Sequence, residues 1–133
     1  MSSHYHVVVW IDHREAKVFK FSATDVDHTT VRSSHPDEHI HHKANSGDSG
    51  HAPVDNEFFK RVVQGIAQAG AILITGPANA KTELVAYIKQ AQPHLAERIS
   101  GIEALDHPSD GALLALARSF FKADDRMRPQ AHR

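Results

Sequence analysis

The chain has 133 residues, 41% of them hydrophobic, and a formal net charge of −1. This length fits one domain with its own hydrophobic core, and the absence of cysteine excludes disulfide and thiolate chemistry. A net charge near zero disfavours nonspecific coating of nucleic acid, so RNA binding would require a local basic patch, and DNA is not an expected partner. No signal-peptide pattern or apolar run of about 20 residues is present, so we expect a cytoplasmic protein with no membrane partner.

The N-terminal part of the chain predicts three strands. Residues 5–12 are largely apolar, and Glu15–Ser22 alternates between two faces, with a connection at His13-Arg14 that is short enough for a hairpin. Asp25–Arg32 alternates with more polar residues and predicts a third, half-exposed strand that completes a meander. Because this edge strand carries charges and threonines, we expect a monomer or a weak homodimer.

A polar stretch follows at residues 33–54. It has no periodic apolar pattern and holds five of the chain's 12 histidines. Unstructured loops of this length are uncommon in compact domains and are usually functional or disordered. This histidine-rich loop is therefore a candidate functional segment.

The next segment predicts a helix and a buried strand. The helix begins at Asp55, and Gly70 is expected to close it as a left-handed cap. Its apolar stripe consists of Phe58, Phe59, Val62, Val63 and Ile66. The apolar run Ile72–Thr75 then predicts a strand that is covered on both faces.

Two further helices and one strand are predicted in the remainder of the chain. A helix follows Asn79 and is broken by Pro93, and Arg98–Leu105 predicts a short strand. His107–Asp110 is a start signal for the last helix. The apolar residues of that helix are Leu113, Leu114, Leu116, Ala117, Phe120 and Phe121.

This element order predicts the fold. Three strands followed by helix, strand, helix, strand and helix is the order of a ribonuclease H-like fold, an α/β domain in which helices flank a mixed five-stranded sheet. We place the single domain at residues 1–123. Residues 124–133 are expected to form a loose, charged tail.

The turn after the buried strand is a candidate phosphate contact. Gly76 and Pro77 end the strand, Asn79 is placed to cap the next helix, and backbone N–H groups at that helix start would face outward beside Lys81. A nucleotide-binding P-loop requires G-x-x-x-x-G-K-[ST], whereas here the lysine comes one position early and no second glycine stands beside it. The alternative is a plain strand-to-helix turn with a solvated lysine.

Three short motifs resemble known translation proteins. The G-P-x-x-x-K turn after an apolar strand resembles the central domain of archaeal and eukaryotic peptide chain release factors and of Pelota. VVVWIDHREAKVF, residues 7–19, is similar to the opening hairpin of that domain. GIEALDHPSDGALLALARSFF, residues 101–121, is similar to the end of a small bacterial family labelled translational machinery proteins. Together the matches span most of residues 4–122.

The resemblance implies the same fold and a noncatalytic factor that binds the ribosome, tRNA or rRNA, during stress or stalling for example. The chain contains no Gly-Gly-Gln tripeptide, which argues against peptidyl-tRNA hydrolysis. In this interpretation Lys81 and the turn backbone contact phosphate, and Arg14 and Lys17 form a second basic spot. His39–Lys43 would act as a mobile arm, with Lys43 as its basic end.

The histidine-rich loop supports a metal-binding alternative. Neutral imidazoles bind zinc, nickel or copper. The candidate ligands are His35, His39, His41, His42 and His51. No C-x-x-C or H-E-x-x-H spacing is present, and a flexible loop loses entropy when it wraps a metal. We therefore expect no cofactor, with zinc or another transition metal as the alternative.

A nuclease and a protein-interaction adaptor are the remaining alternatives. Ribonuclease H-like nucleases hold two metal ions with clustered carboxylates, for which Asp12, Glu15, Asp106 and Asp110 are the candidates. Helix capping is the better explanation for the last two. No serine nucleophile motif is present, so the sequence favours a protein that is not an enzyme.

Overall fold

The computed structural model describes residues 6–33 and 56–127. The five candidate metal-ligating histidines, Lys43, the predicted start of the first helix at Asp55 and most of the tail lie outside the described residues. The metal-binding alternative therefore stays a prediction, as does the mobile arm.

A mixed five-stranded sheet forms the centre of the domain. Its strands are β1 (His6–Ile11), β2 (Glu15–Phe21), β3 (Val26–Arg32), β4 (Ala71–Gly76) and β5 (Ile99–Ala104). The spatial order is β3-β2-β1-β4-β5, with β1, β2 and β3 antiparallel and β1, β4 and β5 parallel. The predicted fold class is confirmed.

Helices cover both faces of this sheet. They are α1 (Asn56–Ile66), α2 (Ala80–Ala91), the short α3 (Pro93–Ala96) and α4 (Asp110–Met127). Apolar side chains of α1, α2 and α3 pack with Val7, Val9 and Ile11 on one face of β1. On the other face, Val8 and Trp10 pack against α4. Among residues 6–33 and 56–127, no helix has the length and apolar character that crossing a bilayer requires.

The alternation in the sequence explains which strands are central. In β4 the residues Ile72–Thr75 are fully buried, because helices lie on both sides of the strand. In β2, Ala16 and Val18 face α1, whereas Phe19 and Phe21 face α4. β3 is the predicted edge strand, but it is more exposed than the half-exposed strand that its pattern predicts, because only Val31 is half-buried.

Two local details differ from the sequence-based expectations. α1 ends at Ile66, whose carbonyl accepts a hydrogen bond from the Ala69 amide at 3.0 Å, so the prediction that Gly70 closes this helix is wrong. Pro93 ends α2 as expected, yet it also begins α3, because proline is favoured at a first helical position.

Candidate functional site

The carboxyl ends of the three parallel strands meet at one edge of the sheet. The hairpin turn follows β1 there, the Gly76-Pro77 turn follows β4, and residues 105–109 follow β5. The Leu105 amide donates to the Gly76 carbonyl at 2.9 Å, which joins two of these connections. Ligands of open α/β sheets commonly bind outside the carboxyl ends of the strands, so this edge is the candidate site.

Gly76 is required by the close packing of two strands. Its φ is +155°, and a Cβ at this position would lie 2.1 Å from the carbonyl oxygen of Ile11 in β1. A side chain would therefore force β1 and β4 apart. The glycine holds the start of the turn directly against the end of β1.

Asn79 occupies the N-cap position of α2 but does not cap it with its side chain. The residue has helical backbone angles, φ −88° and ψ −11°, and no capping hydrogen bond forms. Its backbone carbonyl instead accepts a hydrogen bond from the Glu83 amide at 2.9 Å. The expected side-chain cap is therefore wrong, and the first-turn N–H groups of α2 are not bound by the Asn79 side chain.

Lys81 lies in the first turn of α2 and reaches back over the turn. Its ammonium donates a hydrogen bond to the Ala78 carbonyl, and the side chain is half-buried. The positive charge is thereby held beside the N-terminal end of the helix. A lysine and helix N–H groups in one place favour an anion.

A second connection links the hairpin turn to α2. The Asp12 carboxylate accepts hydrogen bonds from the backbone amides of Arg14 (2.8 Å) and Glu15 (2.9 Å), which fixes the turn. His13 Nε2 lies 3.0 Å from Glu83 Oε1 in the first turn of α2. Arg14, whose side chain is exposed, is therefore placed at the same edge as the Gly76-Pro77 turn.

Lys17 is engaged on the α4 side of the sheet. Its ammonium lies 3.2 Å from the Asp110 carboxylate, and it lines a small cleft of about 40 Å³ with Trp10 and His107. An ion pair that is this exposed is worth at most about 1 kcal/mol. A phosphate at Lys17 would therefore compete with Asp110, whereas Arg14 projects from the turn.

The four candidate carboxylates of a nuclease are bound to different partners. Asp12 holds the hairpin turn, Glu15 pairs with Arg32 at 3.1 Å, and Asp110 pairs with Lys17. Asp106 is 92% exposed beside His107. In the part of the chain that the structure describes, no three His, Asp or Glu side chains are grouped so as to hold a metal ion.

The last helix is capped by Ser109, which lies within the predicted start signal His107–Asp110. Ser109 Oγ accepts a hydrogen bond from the Ala112 amide at 3.1 Å, and its carbonyl accepts one from Leu113. The expectation that Asp106 and Asp110 cap this helix is therefore wrong. In the sequence, the serine directly before the helix is the feature that predicts this cap, because serine is a preferred N-cap residue.

Trp10 and His107 also connect this edge of the sheet. The indole N–H of Trp10 donates to the Asp106 carbonyl at 2.6 Å and lies 3.2 Å from the Leu105 carbonyl. The His107 ring lies 4.9 Å from the indole and 4.0 Å from Asp12. Trp10 is 2% exposed, so its indole belongs to the core of the domain.

The strand order and directions define a small α/β domain of the ribonuclease H-like class. No protein-family model matches the chain, and no curated protein matches its sequence. Solved structures do share the fold. Pelota from Archaeoglobus fulgidus superposes with a TM-score of 0.62 at 14% identity, covering 89% of this chain and 32% of Pelota. The Thermoplasma acidophilum Pelota protein gives 0.58 at 19% identity, with 84% and 31% covered.

Two related translation factors show the same similarity. The archaeal translation termination factor aRF1 gives a TM-score of 0.54 at 14% identity, covering 91% of this chain and 39% of aRF1. S. cerevisiae Dom34, a translation termination-like factor, gives 0.56 at 10% identity, with 92% and 35% covered. This chain thus spans roughly a third of the length of these proteins. The resemblance to Pelota and the release factors is confirmed as a likeness of fold, and membership of the bacterial family stays a prediction.

Proposed function

We propose that the protein is a noncatalytic translation-associated factor that binds the ribosome, tRNA or rRNA under stress or stalling. The observation that carries the proposal is the fold shared with Pelota, aRF1 and Dom34, of which aRF1 is described as a translation termination factor and Dom34 as a translation termination-like factor. The absence of Gly-Gly-Gln in the chain argues against peptide release.

The Gly76-Pro77 turn is the proposed phosphate contact. Its support is the combination of helix N–H groups that Asn79 does not cap and the Lys81 ammonium held beside them. A phosphate oxygen would accept hydrogen bonds from the helix amides, and Lys81 would exchange the Ala78 carbonyl for the anion. Arg14 would supply a second positive charge from the neighbouring turn.

The balance of charges at this edge sets the expected strength. Asp12 lies beside Arg14 and Glu83 lies beside His13, so the edge is not strongly positive overall. Such a site fits a defined contact with one or two phosphates of a structured RNA. It does not fit an extended basic surface that coats RNA, and the net charge of −1 agrees with this.

Co-migration with ribosomes tests the proposed role. A lysate containing the protein at its native level is separated on a sucrose gradient, with and without stress, RNase treatment and raised salt. We expect the protein to travel with ribosomal particles and to be released by salt and RNase. Protein that stays at the top of the gradient under every condition would refute the proposal.

A charge-matched pair of variants tests the site. Lys81→Ala should weaken binding to purified ribosomes or RNA roughly five- to tenfold, or about 1–1.4 kcal/mol, and should reduce the slope of log K against log salt by about one. Lys89→Ala removes an exposed lysine from the last turn of the same helix and should bind as the wild type does. If both variants bind equally well, the turn is scaffolding only.

A further inference from the structure

A second groove lies at the opposite end of the sheet from the Gly76-Pro77 turn. It has a volume of about 340 Å³, within the range of small-molecule sites, and opens between the start of β1, the end of β2 and α4. Its floor is aromatic, because Phe21 and Phe121 are each 2% exposed and the half-buried His6 ring lies 4.4 Å from Phe121. Arg118 and Lys122 line the same groove.

Arg118 lies over the aromatic floor. Its guanidinium carbon lies 5.1 Å from the centre of the Phe21 ring, and Nη1 donates a hydrogen bond to the Ser22 carbonyl at 2.8 Å. A guanidinium has five N–H donors, so this bond leaves others for a ligand. The side chain is thereby ordered before any ligand arrives, which lowers the entropy cost of binding.

We propose that this groove binds a nucleotide, with the base stacked on the Arg118 guanidinium and the His6 ring and the phosphate bound by Arg118 and Lys122. An apolar floor alone would fit any hydrophobic ligand, but two cations beside it select an anion. Planar guanidinium and imidazole groups stack on nucleobases. The ligand chemistry is therefore that of a nucleotide, either free in solution or unpaired within an RNA strand.

The groove does not depend on the proposed phosphate contact at the turn. The groove lies at the first residue of β1 and the turn packs against the last, so about 17 Å of strand separates them. Loss of binding at Lys81 would leave the groove unchanged. An experiment can therefore refute the phosphate contact at the turn without refuting the groove, and the reverse is also true.

Nuclear magnetic resonance of the intact chain tests the proposal. The ¹⁵N-labelled protein is titrated with AMP, adenosine and a short oligoadenylate while the amide resonances of His6, Ser22 and Arg118 are followed. We expect saturable shifts of these resonances with AMP or the RNA, and at least about tenfold weaker binding of adenosine, which lacks the phosphate. Shifts with AMP identify a free nucleotide as a sufficient ligand, and shifts with the RNA alone identify an unpaired nucleotide in a strand.

Substitutions at the rim separate stacking from charge. Arg118→Ala should weaken binding about tenfold or more, and Arg118→Lys should restore only part of it, since lysine keeps the charge but not the plane. Lys122→Ala, at an exposed position, should weaken AMP but not adenosine. Lys60→Ala, an exposed lysine on α1 across the sheet, is the matched control and should bind as the wild type does.

Three results would overturn the proposal. In the first, neither AMP nor oligoadenylate moves the groove resonances at millimolar concentration. In the second, adenosine and AMP bind equally. In the third, a phenylalanine-containing peptide saturates the groove when nucleotides do not, which would identify a protein partner. Thermal unfolding of each variant shows whether lost binding reflects lost folding, and Lys122→Ala keeps the test valid if Arg118→Ala unfolds.

Discussion

Replacing Gly76 with alanine tests the close approach of β1 and β4 that positions the candidate site. The new Cβ would lie 2.1 Å from the Ile11 carbonyl oxygen and 3.2 Å from its carbon. Both atoms belong to the backbone of a buried strand, so a side-chain rotation cannot relieve the clash. The φ of +155° is also one that L-residues rarely adopt.

The expected loss of stability follows from these two effects. A side chain in a backbone region restricted to glycine costs about 1–3 kcal/mol, and overpacking a core adds about 1–3 kcal/mol. Their sum, roughly 2–6 kcal/mol, is a large fraction of the about 5–15 kcal/mol that typically stabilises a domain. With a urea m-value of about 2 kcal/mol/M, the unfolding midpoint should fall by roughly 1–3 M.

Urea unfolding followed by circular dichroism measures this loss. Gly65→Ala is the matched control, because a Cβ on Gly65 in α1 meets no atom within 4 Å. Alanine in that helix should stabilise the protein by about 0.5–1 kcal/mol. A Gly76→Ala variant whose unfolding free energy lies within about 0.5 kcal/mol of the wild type would refute the packing argument.

Two further substitutions test how residues 105–109 and the start of α4 are held. Trp10→Phe removes the indole donor to the Asp106 and Leu105 carbonyls. The free energy of unfolding, measured in urea, should fall by about 1–3 kcal/mol. An unchanged unfolding midpoint would show that these bonds do not stabilise the connection. Ser109→Ala removes the cap on the Ala112 amide and should lower the free energy of unfolding by about 0.5–2 kcal/mol. Ser109→Asp should retain most of the stability, because aspartate also caps helices. Equal losses in both variants would contradict a capping role.

The local pattern of the sequence is sufficient for most of the elements. Successive residues of a strand face opposite sides of the sheet, so the sequence pattern predicts which sides are buried. Alternation predicts the burial in Glu15–Phe21, and a continuous apolar run predicts burial on both sides in Ile72–Thr75. Element ends were less predictable. The end of α1 depends on packing and on backbone hydrogen bonds, and a glycine further along the chain was a misleading signal.

The contacts that build the candidate site join distant parts of the chain. His13 meets Glu83 70 positions later, and Trp10 meets Asp106 96 positions later. The Gly-Pro pair predicted a turn, but the need for glycine comes from Ile11 in another strand. No local pattern contains such information, which is why the sequence predicted the turn and its lysine but not their supports.

The two proposed sites, the phosphate contact at the turn and the nucleotide groove, depend on different physical features and can be judged separately. At the turn, an ammonium and helix N–H groups favour a phosphate of any nucleotide, so this contact carries little base preference. In the groove, planar side chains on an aromatic floor favour a base that is unstacked from its neighbours. Effects of substitutions more than about 10 Å apart usually add, and these sites are about 17 Å apart along β1. A partner that engages both must therefore present an unpaired nucleotide at that distance from an accessible phosphate, which is a property of structured RNA rather than of a uniform duplex.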